Sequence, residues 1–218
     1  MPRFRHVLFD LDGTLIDSAP AILASYREAF ATARRAPVIA IDESIVGPPL
    51  LETLQLLTGT TDAAQIDALA AHFKASYDTS GFRATSAYPG IGEMLGQLTA
   101  SGCRLSIATN KRLHPTRLIL DHLGWSKYFD AVYALDMFEP RLPNKAAMIA
   151  RLLADHRIER QEAVYIGDRS EDGESADANQ LPFFAATWGY GSLVPSEMAP
   201  RWRAFGTPAE LAEALTAD

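Results

Sequence analysis

Short apolar runs, each breaking off at polar residues, recur along the chain and constrain its fold more than any other feature. Val7-Leu8-Phe9, Leu105-Ser106-Ile107-Ala108, Ala131-Val132-Tyr133-Ala134 and Ala163-Val164-Tyr165-Ile166 are clear, and Phe183-Phe184-Ala185-Ala186 is a fifth. Runs of this length read as strands buried on both faces, as in a parallel sheet. The segments between them carry helical apolar spacing: Ile91, Met94, Leu95 and Leu98 in 90–100; Leu118, Ile119 and Leu123 in 114–123; Met148, Ile149, Leu152 and Leu153 in 145–154. A last helix is expected over 208–216, where Thr207 and Pro208 form an N-cap and first-turn pair. Strand alternating with helix predicts an α/β fold with a doubly wound parallel sheet.

One interval breaks the alternation. Residues 17–85 read as helical, with no convincing strand. Asp17-Ser18 and Pro20 start a helix expected to run through Arg35. After the Ala36-Pro37 break, Asp42 or Ser44 starts a second, and Asp62 a third that reaches Tyr77. A connection this long implies a small helical domain of its own. The expected division is therefore a core of residues 1–16 and 86–218, with 17–85 as a helical cap domain. The insertion leaves the sheet beside the carboxyl end of the first strand, where open α/β sheets bind ligands, so it would cover a site there.

Composition narrows the classes that remain. The chain has 218 residues with net charge -7, against the cationic surface that phosphate neutralisation demands, so nucleic acid is not an expected partner. No apolar run approaches the roughly 18 residues of a membrane span. The N-terminal residues lack the apolar stretch and small-residue cleavage site of a secretory signal, and the single Cys103 permits no internal disulfide. A cytoplasmic protein is expected.

The chemistry lies where the strands end. Phe9-Asp10-Leu11-Asp12-Gly13-Thr14-Leu15 follows the first strand, and two carboxylates two apart can share a crevice while Leu11 faces away. Asp-x-Asp alone is also what an ordinary acidic turn looks like. The second strand ends at Thr109-Asn110-Lys111 and the fourth at Gly167-Asp168-Arg169-Ser170-Glu171-Asp172, while Lys145 follows the loop after the third. A parallel sheet brings these ends to one edge. Four carboxylates gathered with one lysine repel one another strongly. A hard divalent cation with oxygen ligands resolves that, and Mg²⁺ suits a site built from few carboxylates, waters and a substrate phosphate.

In order and spacing, Asp10-Leu11-Asp12-Gly13-Thr14, Thr109-Asn110, Lys145 and Gly167-Asp168 with Asp172 resemble the four motifs of the haloacid dehalogenase superfamily. The resemblance covers essentially the whole chain and is nearest to the phosphoglycolate phosphatase-like branch, with a helical cap after the first motif. It implies a Mg²⁺-dependent phosphatase acting on a small phosphomonoester through an aspartyl-phosphate. Asp10 would be the nucleophile and Asp12 the acid and base. The carboxylates of Asp10 and Asp168 and the backbone carbonyl of Asp12 would hold the metal, with Asp172 orienting a metal-bound water or Lys145. Thr109, Asn110 and Lys145 would bind the phosphoryl group, Thr14 would brace the turn, and Gly47 of the loop Val46–Leu50 would face the leaving group. A carboxylate at Asp12 separates this branch from the dehalogenases, whose halide leaves without a proton. Gly-Asp at 167–168, where mutases of this shape carry Glu-Asp, favours hydrolysis over isomerisation.

Several positions depart from the family pattern. The third-motif lysine is followed by Ala146 rather than proline, leaving Lys111 and Arg141 as alternatives for the cation. The helix after Asp172 ends at Ala178-Asn179-Gln180 without the usual glycine, so Asn179 is expected in the left-handed cap conformation, and Gly173 is unusual at a helix start. Lysines are few, Lys74, Lys111, Lys127 and Lys145, and two of them fall in or beside motifs. The histidines lack metal-ligand spacing, Cys103 reads as a small core residue, Glu171 and Glu174 as helix-start acids, and Gly189-Tyr190-Gly191 as a turn. The expected partner is a small phosphorylated metabolite, bound by a monomer or homodimer. A nucleoside monophosphate phosphatase, a phosphosugar phosphatase or mutase, and a catalytically idle interaction protein of the same fold are the alternatives.

Overall fold

The order of six parallel strands explains why the motifs meet. In the computed structural model, which describes residues 2–190, 193, 194, 196 and 198–217, β1 (His6–Phe9) lies between β4 (Arg104–Thr109) and β6 (Ala163–Gly167). Beyond β4 lies β5 (Phe129–Ala134), and beyond β6 lie β7 (Phe183–Ala186) and β8 (Arg203–Phe205). Phe9 is in register with Ile107 on one side and Ile166 on the other, so all three strands end close together. The Asp10 amide donates to the Ile166 carbonyl at 2.8 Å, which carries the strand geometry into the first motif. The crevice at the carboxyl ends of a central strand is where such sheets take ligands.

The two faces follow from the period-2 alternation of side chains. Val7, Phe9, Leu105, Ile107, Val164 and Ile166 join one apolar cluster with α4 (Ile91–Ala100), α5 (Leu113–His122) and α8 (Pro208–Thr216). Leu8, Ala108, Tyr165 and Phe183 join a second with α6 (Lys145–Asp155) and α7 (Ser170–Ala178). Each large apolar side chain buried this way contributes about 1.5–3 kcal/mol. All five strands anticipated from apolar runs are present. The sixth, β8, escapes such reading because only Phe205 of its three residues is buried.

The insertion is helical: α1 (Ala19–Thr32), α2 (Leu50–Thr58) and α3 (Ala63–Tyr77). Its two connections to the sheet run antiparallel as β2 (Ile16–Asp17) and β3 (Ser86–Ala87), pairing Ile16 with Ala87 and Asp17 with Ser86. Asp62 caps α3 by accepting from the Gln65 amide. Two expectations need correction. The first helix stops at Thr32 rather than Arg35, because Arg34 turns left-handed at φ 52 and the Arg35 amide closes back on the Phe30 carbonyl. No α-helix starts at Asp42 or Ser44. Asp42 caps a single 3-10 turn, Glu43–Ile45, and Gly47 at φ 124 followed by Pro48-Pro49 delays α2 to Leu50.

At the end of α7 Asn179 does not adopt the left-handed conformation. It has φ -97, and its amide instead donates to the Ala146 and Ser175 carbonyls, leaving Gln180 to turn at φ 58. Gly173 has a packing reason. A Cβ there would come 2.4 Å from the Trp202 ring, whose indole N–H donates to Asp177. Gly173→Ala should therefore destabilise the protein by about 1–3 kcal/mol through overpacking, although helix propensity alone favours Ala by about 1 kcal/mol. Thermal unfolding decides between them: an unchanged or raised Tm would mean that Trp202 yields without penalty.

Candidate active site

The first, third and fourth motifs meet at one buried ammonium. Asn144 caps α6, accepting from the Ala147 amide at 2.9 Å, and so sets Lys145 as the first helical residue. Its Nζ donates to Asp10 Oδ1 at 3.1 Å and to Asp172 Oδ1 at 2.5 Å. The other Asp172 oxygen accepts from the Asp168 and Arg169 amides, at 3.2 and 3.1 Å, tying the fourth loop to the start of α7. Asp168 is fully buried and accepts from the Thr14 hydroxyl at 3.1 Å. Gly13, at φ 84, has no room for a side chain, since a Cβ would fall 2.2 Å from Asp168 Oδ2. Thr14 therefore holds Asp168, besides shaping its own turn.

Asp12 stands apart from that cluster. Its carboxylate accepts from Lys111 Nζ at 3.0 and 3.2 Å and from the Ser18 hydroxyl, which also meets the Tyr190 hydroxyl at 3.3 Å. Lys111 in turn lies over the Tyr77 ring at the end of α3, 4.7 Å from its centre. Thr109 is buried at the end of β4 and its hydroxyl accepts from the Lys111 amide. The Asn110 amide donates to Glu171, and its carbonyl oxygen is buried with no hydrogen-bond partner. Of the alternative cations, Lys111 belongs to Asp12, while Arg141 reaches out to Glu52 on α2 at 3.1 Å. Gly47 lies with Asp12, Asn110 and Lys111 around one pocket, and its backbone abuts the Arg169 side chain, where a Cβ would come 2.8 Å from Nε.

The electrostatics are those of a cluster short of positive charge. Asp10, Asp168 and Asp172 can each offer an oxygen, all within 4.8 Å of one another, and are the one such group among the described residues. Burial pushes Asp10 up to about 7, with Asp172 and Asp12 adding to the rise and Lys145 opposing it. Burial likewise pushes Asp168 up to about 8, with Asp172 and Asp10 adding to it. Burial alone would lower Lys145, but Asp10 and Asp172 hold it well above the ordinary lysine value. Three carboxylates around one ammonium fit a metal ion. Both Asp172 oxygens are already taken by donors, Lys145 on one and the Asp168 and Arg169 amides on the other.

Some of this was beyond sequence reasoning. Ser18, Tyr190 and Tyr77 join Asp12 and Lys111 only through the fold. The turn after β7 packs against the first motif: the Trp188 indole N–H donates to the Thr14 carbonyl at 2.9 Å, and a Cβ on Gly189 would collide with the Gly13 carbonyl. A Trp-Gly-Tyr cluster beyond a strand was the available signal. Of the turn proposed at 189–191, Gly191 lies outside the described residues.

Such a sheet, with acidic loops gathered at its carboxyl edge, is an open α/β fold with a ligand-binding crevice at that edge. The sequence matches the haloacid dehalogenase-like hydrolase family over residues 7–186, and the chain belongs to that family. It is similar to the tyrosine-protein kinase PtkA of Mycobacterium tuberculosis (strain ATCC 25618 / H37Rv), 37% identical over 85% of this chain and 62% of that protein. The chain thus spans under two thirds of that relative. It is also similar to the phosphoglycolate phosphatase of Xylella fastidiosa (strain 9a5c), 34% identical over 92% of this chain and 86% of that one. In structure it resembles a predicted phosphatase from Clostridium acetobutylicum, with a TM-score of 0.84, 28% identity and coverage of 96% and 97% of the two chains. No helix among the described residues is long and apolar enough to cross a membrane.

The raised acids have a measurable consequence. Folded Asp10 and Asp168 hold protons more tightly than they do unfolded, so in metal-free protein they withdraw stability as pH rises from the ordinary carboxylate range through about 7 and about 8. A bound cation reverses that penalty only where the protons have left. Mg²⁺ at one fixed concentration, about 100 times its Kd at pH 8, should raise Tm by roughly 5 °C or more there, and by far less at pH 5, where protons compete for the same carboxylates. A Tm increment that did not change with pH would contradict the assignment of these carboxylates.

Proposed function

We propose that the protein is a Mg²⁺-dependent phosphatase that hydrolyses a small phosphorylated metabolite through an aspartyl-phosphate on Asp10. The observation that carries this reading is the separation of the two motif-one carboxylates. Asp10 sits with Lys145 among the buried acids, while Asp12 is held apart by Lys111 and Ser18, at the pocket between sheet and insertion. One is positioned to bond to phosphorus and the other to handle protons at the leaving oxygen. The family membership and the phosphoglycolate phosphatase relatives support the same chemistry.

In the proposed sequence, an Asp10 oxygen attacks phosphorus, and the bond to the leaving oxygen breaks as Asp12 gives that oxygen a proton. Asp12 then takes a proton from water, whose oxygen attacks phosphorus and releases phosphate and the free Asp10 carboxylate. Lys145 offsets charge on Asp10 and on the phosphoryl oxygens, and Thr109 and Asn110 bind those oxygens. Asp10 and Asp168, with the Asp12 carbonyl, would hold Mg²⁺, which when bound neutralises phosphate charge. Asp172 keeps Lys145 and the fourth loop in place, and Thr14 does the same for Asp168. The insertion, residues 17–85, acts as a cap that shields the acyl phosphate from water, with Gly47 on its inner loop.

A phosphomonoester panel with Mg²⁺ tests the reading. The protein should turn over at least one small member, EDTA should abolish turnover without unfolding the chain, and Asp10→Asn should lower kcat by about 10⁴-fold. Turnover that survived Asp10→Asn would remove the covalent route.

A further inference from the structure

We propose that the leaving group this enzyme prefers carries an aromatic ring next to the ester rather than a second acid. The inference rests on the phosphatase reading above and names the substrate class of the same site. The pocket that opens on Asp12 is a half-open cleft with about 50 Å³ of free volume inside it, several times what one water needs. Its wall on the insertion is apolar and aromatic, formed by Ile22 and Tyr26 of α1, Val46, Leu50, and Phe73 and Tyr77 of α3. The rings are piled together. Tyr26 and Phe73 lie 4.5 Å apart, and Phe73 and Tyr77 lie 5.4 Å apart and nearly parallel at 14°. Such a face adds aromatic contact to the burial of a ring.

The two cations among the pocket's own lining residues are already engaged, and Arg169, which makes no ion pair among the described residues, lies outside that lining, behind Gly47. Lys111 is paired with Asp12, and Arg112 holds Asp78 by two hydrogen bonds of 2.8 and 2.6 Å. A carboxylate next to the ester would meet no unpaired cation among this pocket's lining residues, and burying it unpaired is costly. Lys74, which makes no ion pair among the described residues, lines the adjoining outer cavity with Arg141, so anionic parts of a substrate belong there, further from phosphorus. The Tyr77 hydroxyl on the aromatic wall is buried beside Lys111 and makes no hydrogen bond of normal geometry.

Benzyl phosphate and phosphoglycolate make the test, because each joins its ring or its carboxylate to the ester oxygen through one carbon and each releases a primary alkoxide. With saturating Mg²⁺, kcat/KM for benzyl phosphate should exceed that for phosphoglycolate by about 10-fold or more. Asp78→Ala, which frees Arg112, should raise kcat/KM for phosphoglycolate and leave that for benzyl phosphate no higher. Phosphoglycolate turned over as well as or better than benzyl phosphate would overturn the aromatic assignment while leaving the phosphatase reading intact. A folded Asp78→Ala protein with no gain on phosphoglycolate would overturn the role given to the paired Arg112. Failure of the whole phosphomonoester panel would overturn both readings together.

Discussion

The structure turns on the burial of three carboxylates around a single ammonium. Asp10, Asp168 and Asp172 lie within 4.8 Å of one another, and Lys145 bonds to the first and the last. Charge taken out of water is tolerated only when paired, and one lysine leaves negative charge over. The excess appears in the upward shifts of Asp10 and Asp168, both driven first by burial. Burial therefore makes the cluster bind protons more tightly than free carboxylates do, and a divalent cation would compete with those protons. A divalent cation with oxygen ligands is the kind of charge that would offset that excess.

The surrounding fold makes that state possible. A central strand with neighbours on both sides brings three loops to one edge, and backbone contacts then fix their spacing. Gly13 leaves the space that Asp168 occupies, and Gly167 does the same for Asp172, whose carboxyl group lies where a Cβ would stand. Asn144 starts α6 at Lys145, and the Trp188 indole holds the Thr14 carbonyl. Each contact removes a freedom that an acidic cluster would otherwise use to fly apart. Preorganisation of this kind is what a site needs to stabilise charge developing on a transferring phosphoryl group.

What could be read in advance was whatever local pattern controls. The apolar runs marked five strands, and their ends located Asp10, Thr109 and Asp168, because a parallel sheet leaves little choice about where strand ends meet. Lys145 was legible only as one of three candidate cations, with Lys111 and Arg141, and the motif resemblance favoured it. Helix boundaries in the insertion were less so, since the delay of α2 to Leu50 depends on Gly47 and two prolines acting together. Contacts between distant segments left no local trace. Lys111 with Asp12 and Arg112 with Asp78 are separated by 99 and 34 residues, and nothing in either stretch names its partner. Lys111 was visible as a cation near the site, but its attachment to Asp12 rather than to phosphate charge came from the coordinates alone.

The proposed route requires that Asp10, and no other carboxylate of the cluster, bond to phosphorus. Borohydride reduces an acyl phosphate to an alcohol, so enzyme quenched with it during turnover should carry homoserine at position 10 when its peptides are weighed. Asp12, Asp168 and Asp172 should remain aspartate. Homoserine at any of those three positions, or none anywhere in protein quenched while turning over, would contradict the account.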